Sequence, residues 1–356
     1  MNQKSESVFP AFRLLVMLFF MWGFITSLND ILIPHLKAVF DLSYAQAMLI
    51  QFCFFGSYFV MSIPAGRIIE KFGYSRGIVI GLSVMGLGCL LFYPASALLF
   101  YPLFLFALFV LASGITILQV AANPFVSALG KPETASSRLN LSQGFNSLAH
   151  TVAPLLGTLL ILNDQSPTAL QQAQAVQLPY LGLATSLFVL ALFFAFAKLP
   201  EMSNLRIKQD EKGESIWKHR QLAFGVVAIF LYVGAEVSIG GFLVNFFGEE
   251  SIAKIPAAQA GNYVSLYWGG AMVGRFLGSA LLQRMRSETL LMYSSLGALV
   301  LVLLTIGTSG QFAMWTVLSI GLFNSVMFPN IFTLSIQGLE KYTSRGSGLL
   351  IMAIVG

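Results

Sequence analysis

The stretch Trp22-Gly23-Phe24-Ile25-Thr26-Ser27-Leu28-Asn29-Asp30-Ile31-Leu32-Ile33-Pro34 puts a carboxylate, Asp30, inside the first long apolar run, which begins near Phe12. A charged side chain at hydrocarbon depth is costly, and by default it marks an ion or substrate pathway. On a helix Thr26 and Asp30 lie four apart on one face, with Trp22 one turn earlier and Asn29 beside them. Pro34 and His35 follow closely, so the competing reading is an acid near a helix end that reaches the interface.

Working outward, the chain has 356 residues, 56% hydrophobic and 10% charged, with mean hydropathy +0.78. Soluble domains carry roughly 25% charged residues, so this is an all-α polytopic membrane protein. The first apolar run is long and many more follow, which excludes a cleaved signal. A pI near 9.2 would point to nucleic acid in a soluble protein. Here the basic residues fall in connecting segments, a matter of topology, and no nucleic-acid partner is expected. Cys53 and Cys89 lie in apolar runs and are expected as packed thiols. Neither metal-ligand spacing, a phosphate-binding Gly loop nor a nucleophile-base set is present, so no enzyme and no cofactor are expected.

At about 20 residues per span, apolar segments are read near 12–34, 46–66, 77–95, 99–128, 140–162, 178–198, 221–247, 260–283, 289–308, 312–337 and 346–356. The last rises only about 16 Å as a helix, so the eleventh span is expected to continue past residue 356, with a twelfth after it. Counting from a cytoplasmic N-terminus, 18 of the 20 Lys and Arg fall on the inner side, among them Arg67, Arg138, Arg275, Arg284 and Arg345. Only Lys37 and Lys254 fall outside. The positive-inside rule therefore places the N-terminus in the cytoplasm. Residues 1–198 read as one six-helix half, 199–220 as a charged cytoplasmic linker, and 221–356 as an incomplete second half comprising helices 7 to part of 11.

The halves repeat. Asn123 and Asn330 are each followed 15 residues later by an Arg, Arg138 and Arg345, at an offset of 207. The same offset carries Gly66-Arg67 to the neighbourhood of Gly274-Arg275, and Asp30 to that of Glu236. Internal symmetry of this kind points to a transporter whose site lies between the repeats.

Of the 15 acidic residues, Asp30 and Glu236 alone fall within spans. An acid in that setting can exchange a proton or Na⁺ as its surroundings change; a hydrogen-bonding role for Glu236 is the plainer alternative. The fourth span presents Gln119 and Asn123 before Pro124, which frees a carbonyl on the preceding turn. The fifth presents Asn140, Gln143, Asn146, Ser147 and His150 in one stripe. Amides offer donors and acceptors to a neutral sugar, although they also pair between helices. Trp22, Tyr58, Tyr232, Tyr263, Tyr267 and Trp268 are candidate stacking surfaces. The expected site is thus Asp30, Thr26 and Asn29 for the cation. For the sugar it is Gln119, Asn123, Gln143, Asn146 and Glu236, with Asn324 and Asn330 on the tenth span.

Three motifs carry a resemblance: Leu28-Asn29-Asp30-Ile31-Leu32-Ile33-Pro34, Ala121-Ala122-Asn123-Pro124-Phe125-Val126 and Arg138-Leu139-Asn140-Leu141-Ser142-Gln143-Gly144-Phe145-Asn146-Ser147. They resemble the fucose:proton symporter family of the major facilitator superfamily, and the similarity runs over essentially the whole chain. Gly66-Arg67-Ile68-Ile69-Glu70-Lys71-Phe72-Gly73 resembles that superfamily's cytoplasmic latch. The resemblance implies twelve helices in two halves and alternating access around a central sugar. It also implies an acid on the first helix at Asp30 and a polar cavity residue at Asn146. Where the fucose:proton symporter has a coupling Glu, this chain has Gln119, which cannot carry a proton. The run Tyr232 to Gly240 looks more like the family's glucose/galactose branch, whose members are typically Na⁺-dependent. The resulting expectation is Na⁺-coupled import of glucose, galactose or a related hexose by a monomer in a bacterial inner membrane. Proton coupling, an uncoupled facilitator and a non-transporting sugar sensor are the alternatives.

Overall fold

A run of Leu, Phe, Val, Ile and Ala in hydrocarbon can satisfy its backbone only along itself, which selects helices. In the computed structural model these runs form α1 (Gln3–Val39), α2 (Tyr44–Phe72), α3 (Tyr74–Ala97), α4 (Tyr101–Ala128) and α5 (Ala135–Gly157). They continue as α6 (Ala169–Gln174), α7 (Gln177–Phe196), α8 (Arg220–Gly248), α9 (Ala257–Leu281), α10 (Ser287–Gly307), α11 (Gly310–Asn324), α12 (Met327–Ile336) and α13 (Thr343–Met352). The structure describes residues 3–157, 168–197, 199–200 and 215–356. Most of the expected linker lies outside the described residues, as does the side chain of Asp30.

Among the described residues eight helices are long and apolar enough to cross a membrane, counting α6 with α7 and α11 with α12 as one each. The two other long helices, α5 and α9, carry the Asn, Gln and Ser stripe and Arg275, and these lower their hydropathy. They pack against each other, so the least lipid-compatible surfaces are hidden in the protein. The first group, α1–α7, packs mainly within itself, and so does the second, α8–α13. The groups meet where α5 faces α9 and α12, and where α13 faces α2 and α4.

Small residues set the closest approaches. A Cβ on Gly114 would lie 2.4 Å from the backbone of Met85, and one on Gly88 would lie 2.5 Å from that of Leu111, so α3 and α4 touch backbone to backbone. Gly23 does the same for α1 on α5, where a Cβ would sit 2.3 Å from the carbonyl oxygen of Asn146.

Prolines add a second pattern. Each removes one helical donor and frees the carbonyl four residues earlier, and three such carbonyls are met from other helices. For Pro154 it is His150, bonded by the Ser27 hydroxyl at 3.3 Å. For Pro124 it is Val120, bonded by the Ser347 hydroxyl at 3.0 Å. For Pro329 it is Ser325, bonded by Arg275 Nε at 3.3 Å. The tenth span breaks there, with a turn at Ser325 and Val326 between α11 and α12.

Cross-group contacts of the described residues gather at one end. Arg345 on α13 grips Glu70 on α2 through two bonds of 2.9 and 2.8 Å. Ser136 bonds both Thr333 and, at 2.7 Å, Ser287. Ser137 pairs with Ser279, its hydroxyl donating to that carbonyl at 2.7 Å. Asn140 Nδ2 donates to Asn330 Oδ1 at 3.0 Å. The two arginines of the repeat differ in use: Arg138 caps the end of α4 by donating to the carbonyls of Val126 and Ser127, whereas Arg345 serves the grip on Glu70.

Candidate functional site

Deeper than that closed end, between the groups, the polar side chains of α1, α4, α5, α8, α9 and α11 converge. Gln119 is buried and its Nε2 donates to the Tyr58 hydroxyl at 2.8 Å. Four residues on, Asn123 is fully buried, and neither its amide nitrogen nor its oxygen has a partner. Orphaned buried amides are rare and call for a water or ligand. Gln143 is buried on α5.

The α5 stripe divides in two. Ser136, Ser137, Asn140 and Ser147 turn toward the second group, whereas Asn146 donates its Nδ2 to the Phe19 carbonyl of α1 at 2.9 Å. Asn146 is therefore a wall residue whose amide nitrogen is already committed. Of the expected cation ligands, Thr26 donates its hydroxyl to the Trp22 carbonyl at 3.0 Å and keeps its lone pairs. Asn29 is buried, but its Oδ1 accepts from the Tyr180 hydroxyl at 3.0 Å and only its Nδ2 is unpartnered. Its free group is a donor, which suits an acceptor such as a carboxylate or a sugar oxygen better than a cation.

In the second group Glu236 is 8% exposed and its Oε1 has no partner. Around it the Tyr267 hydroxyl donates to the Glu236 backbone carbonyl at 3.2 Å, and Asn324 Nδ2 donates to Tyr267 at 3.1 Å. The Tyr232 hydroxyl donates to the Asn324 carbonyl at 2.9 Å. Asn324 is thus held by two tyrosines at the break in the tenth span. Asn330 lies on the other side of that break, and its oxygen belongs to the closing pair with Asn140. Among the expected stacking rings, Tyr58, Tyr232 and Tyr267 take part in this network. Trp268 is 42% exposed and has no bond in it among the described residues.

One residue of the site was hidden by the sequence reading. Arg275, counted there among the charges of the inner loops, sits inside α9. Its guanidinium bonds Ser147 of α5 through Nη1 and the Ser325 carbonyl through Nε. It is also the charge that acts on Glu236 and on His150. The signal was available: Arg275 falls eight residues before the end of the apolar segment 260–283.

Comparison with known proteins now bears on this arrangement. Residues 14–355 match the profile of the Major Facilitator Superfamily. A "Glucose/galactose transporter" of Brucella abortus biovar 1 (strain 9-941) is 54% identical over 344 residues, covering 96% of this chain and 84% of that protein. An "L-fucose-proton symporter" of Escherichia coli (strain K12) is 33% identical, over 99% of this chain and 85% of that protein. A Major Facilitator Superfamily transporter solved in the outward conformation superposes with a TM-score of 0.90 at 33% identity, over 98% of this chain and 89% of that one.

Proposed function

The chain belongs to the Major Facilitator Superfamily, and we propose that within it the protein imports a neutral hexose of the glucose/galactose type by cation symport. One observation carries the reading. Two groups of helices enclose buried amides and a buried carboxyl oxygen that have no protein partner, Asn123 and Glu236 Oε1. Unmatched donors and acceptors on opposing walls fit a solute made of hydroxyls. The names of the relatives, one a glucose/galactose transporter and another an L-fucose-proton symporter, support the substrate class.

On this reading Gln119, Asn123, Gln143 and Asn146 bind one face of the sugar, and Glu236 and Asn324 bind the other. Asn330 acts through the seal it forms with Asn140. Asp30 holds the coupling cation, with the lone pairs of Thr26 near it and Asn29 anchoring α1 to α7. The excess of Lys and Arg makes the closed end cytoplasmic, in a bacterial inner membrane with the N-terminus inside. The conformation is then open outward, in keeping with the outward-facing transporter it superposes on. Sugar and cation together stabilise an occluded state, and the two groups rock about the site. The protein acts as a monomer.

The coupling ion divides the reading. Gln119 at the position of the proton symporter's Glu favours Na⁺, whereas kinship with L-fucose-proton symporters favours H⁺. The test is uptake of radiolabelled glucose and galactose into proteoliposomes under an imposed Na⁺ gradient at fixed pH, then under a pH gradient without Na⁺. Accumulation driven by Na⁺ alone establishes the first form, and accumulation driven by the pH gradient alone the second. No accumulation under either gradient overturns symport.

The cytoplasmic grip gives a smaller prediction. Glu70 and Arg345 are partly exposed, and a pair of that kind contributes at most about 1 kcal/mol, roughly a fivefold shift in population. Arg345→Gln should raise the inward-open fraction by that factor, read from alkylation of a cysteine placed at Ser136. Unchanged alkylation would count against the grip.

A further inference from the structure

Arg275 is a cation within a membrane-spanning helix, and both of its described bonds are to neutral oxygens. Glu236, an acid on which its charge acts, is meanwhile left with an unpartnered Oε1. An arginine forks to a carboxylate far more strongly than to a hydroxyl or a carbonyl. The side chain of Arg275 is thus held away from its best acceptor by two contacts, one across to α5 of the first group and one at the break of the tenth span. Ser147 is on α5 of the opposite group. It accepts from Arg275 while donating its own proton to the Gln143 carbonyl at 3.0 Å, so it is a fixed acceptor. The Ser325 carbonyl is available because Pro329 cannot bond it, and it lies at the break of the tenth span.

Resting on the alternating-access reading above, we propose that Arg275 is a positioning residue that exchanges partners during the transport cycle. It fastens Ser147 and Ser325 while the cytoplasmic end is shut, and it pairs with the Glu236 carboxylate once that end opens. In the shut state Glu236 Oε1 is left for a sugar hydroxyl to satisfy. When the sugar leaves inward, Arg275 takes its place on the carboxylate, and the empty carrier avoids a bare buried charge. Among the described residues His150 on α5, Tyr232 on α8 and Tyr267 on α9 are the other titratable groups in this electrostatic neighbourhood. None of them can replace the guanidinium as a bidentate partner for Glu236.

The exchange makes opposite predictions for its two partners. Without sugar, Ser147→Ala removes only the shut-state contact and should raise the inward-open population about tenfold, whereas Glu236→Gln removes only the open-state partner and should lower it about tenfold. Both shifts should vanish in an Arg275→Gln background. In Arg275→Lys, which keeps the charge, both should persist with the same signs and smaller size.

The measurement is the distance distribution between spin labels at Lys131→Cys and Arg284→Cys, exposed loop positions of the two groups. Cys53 and Cys89 are replaced by Ala, and the transporter is held in nanodiscs with and without saturating glucose or galactose. Shifts of the same sign in Ser147→Ala and Glu236→Gln overturn the exchange, and so does either shift surviving in Arg275→Gln. If the protein with native Arg275, Glu236 and Ser147 shows one distance under all conditions, the alternating-access reading itself fails and the exchange with it.

Discussion

Replacing Asp30 by Asn should abolish concentrative uptake and leave downhill flux and sugar exchange in place. Asn matches Asp in size and retains hydrogen bonding, so α1 keeps its packing, but the variant cannot be charged. Moving one elementary charge across 100 mV contributes about 2.3 kcal/mol, enough to hold sugar roughly fiftyfold more concentrated on one side. That whole factor should disappear. Radiolabelled hexose would be followed in proteoliposomes under both an ion gradient and a membrane potential, with counterflow of preloaded sugar as the control. A variant that still accumulates sugar uphill removes Asp30 from the coupling role.

A second large effect is expected at Gly23. Its Cβ position already lies 2.3 Å from the Asn146 carbonyl oxygen and 2.7 Å from the Asn146 amide nitrogen. The nearest opposing atom is backbone, and the other two belong to the Asn146 side chain, which its bond to the Phe19 carbonyl holds in place. The same turn carries the Asn146 bond to the Phe19 carbonyl. Gly23→Val must push α5 off α1, break that bond and displace a wall of the site. Overpacking of this kind costs about 3 kcal/mol, read as a drop in melting temperature of purified protein in detergent. Sugar protection against unfolding should be lost as well. Gly182, whose added Cβ would meet nothing within 4 Å, is the matched control. Equal effects of valine at the two positions would show that helix propensity rather than the α1–α5 contact is at work.

Much of the architecture is legible in the chain because a bilayer leaves few choices. Apolar runs of the right length must be helices, and the runs read from composition correspond to α1 to α5 and α7 to α13, with a break inside the tenth; the short α6 lies before the sixth run and has no counterpart among them. The break at Ser325 is signalled by Pro329, but the partner of the freed carbonyl is not, since Arg275 lies 50 residues away. Likewise Pro124 announces a free carbonyl at Val120, and only the folded chain brings Ser347 to it from 227 residues on. Periodicity places Asn140, Asn146 and Ser147 near one stripe of α5. It cannot tell that Asn146 turns to α1 while Asn140 and Ser147 turn to the second group, because a rotation of some 100° per residue separates neighbours on a helix. Arg275 escaped notice for a different reason. An arginine near the end of a span reads as loop charge, and its length lets it reach inward as readily as outward.

The fastening of the shut end has a consequence for how the transporter answers to its surroundings. Ser136 with Thr333 and Ser287, Ser137 with Ser279, and Asn140 with Asn330 are all uncharged pairs. Dissolved ions screen charge, and at physiological strength their reach is about 8 Å, so these contacts hold equally well at low and at high ionic strength. Among the described residues two charged contacts join the groups: the Arg275–Ser147 bond is part-buried and little screened, whereas the exposed Glu70–Arg345 grip at the rim weakens as salt rises. A cell that shrinks or swells, and so changes the ionic strength against this face severalfold, would alter the turnover of the carrier by little more than that one grip allows.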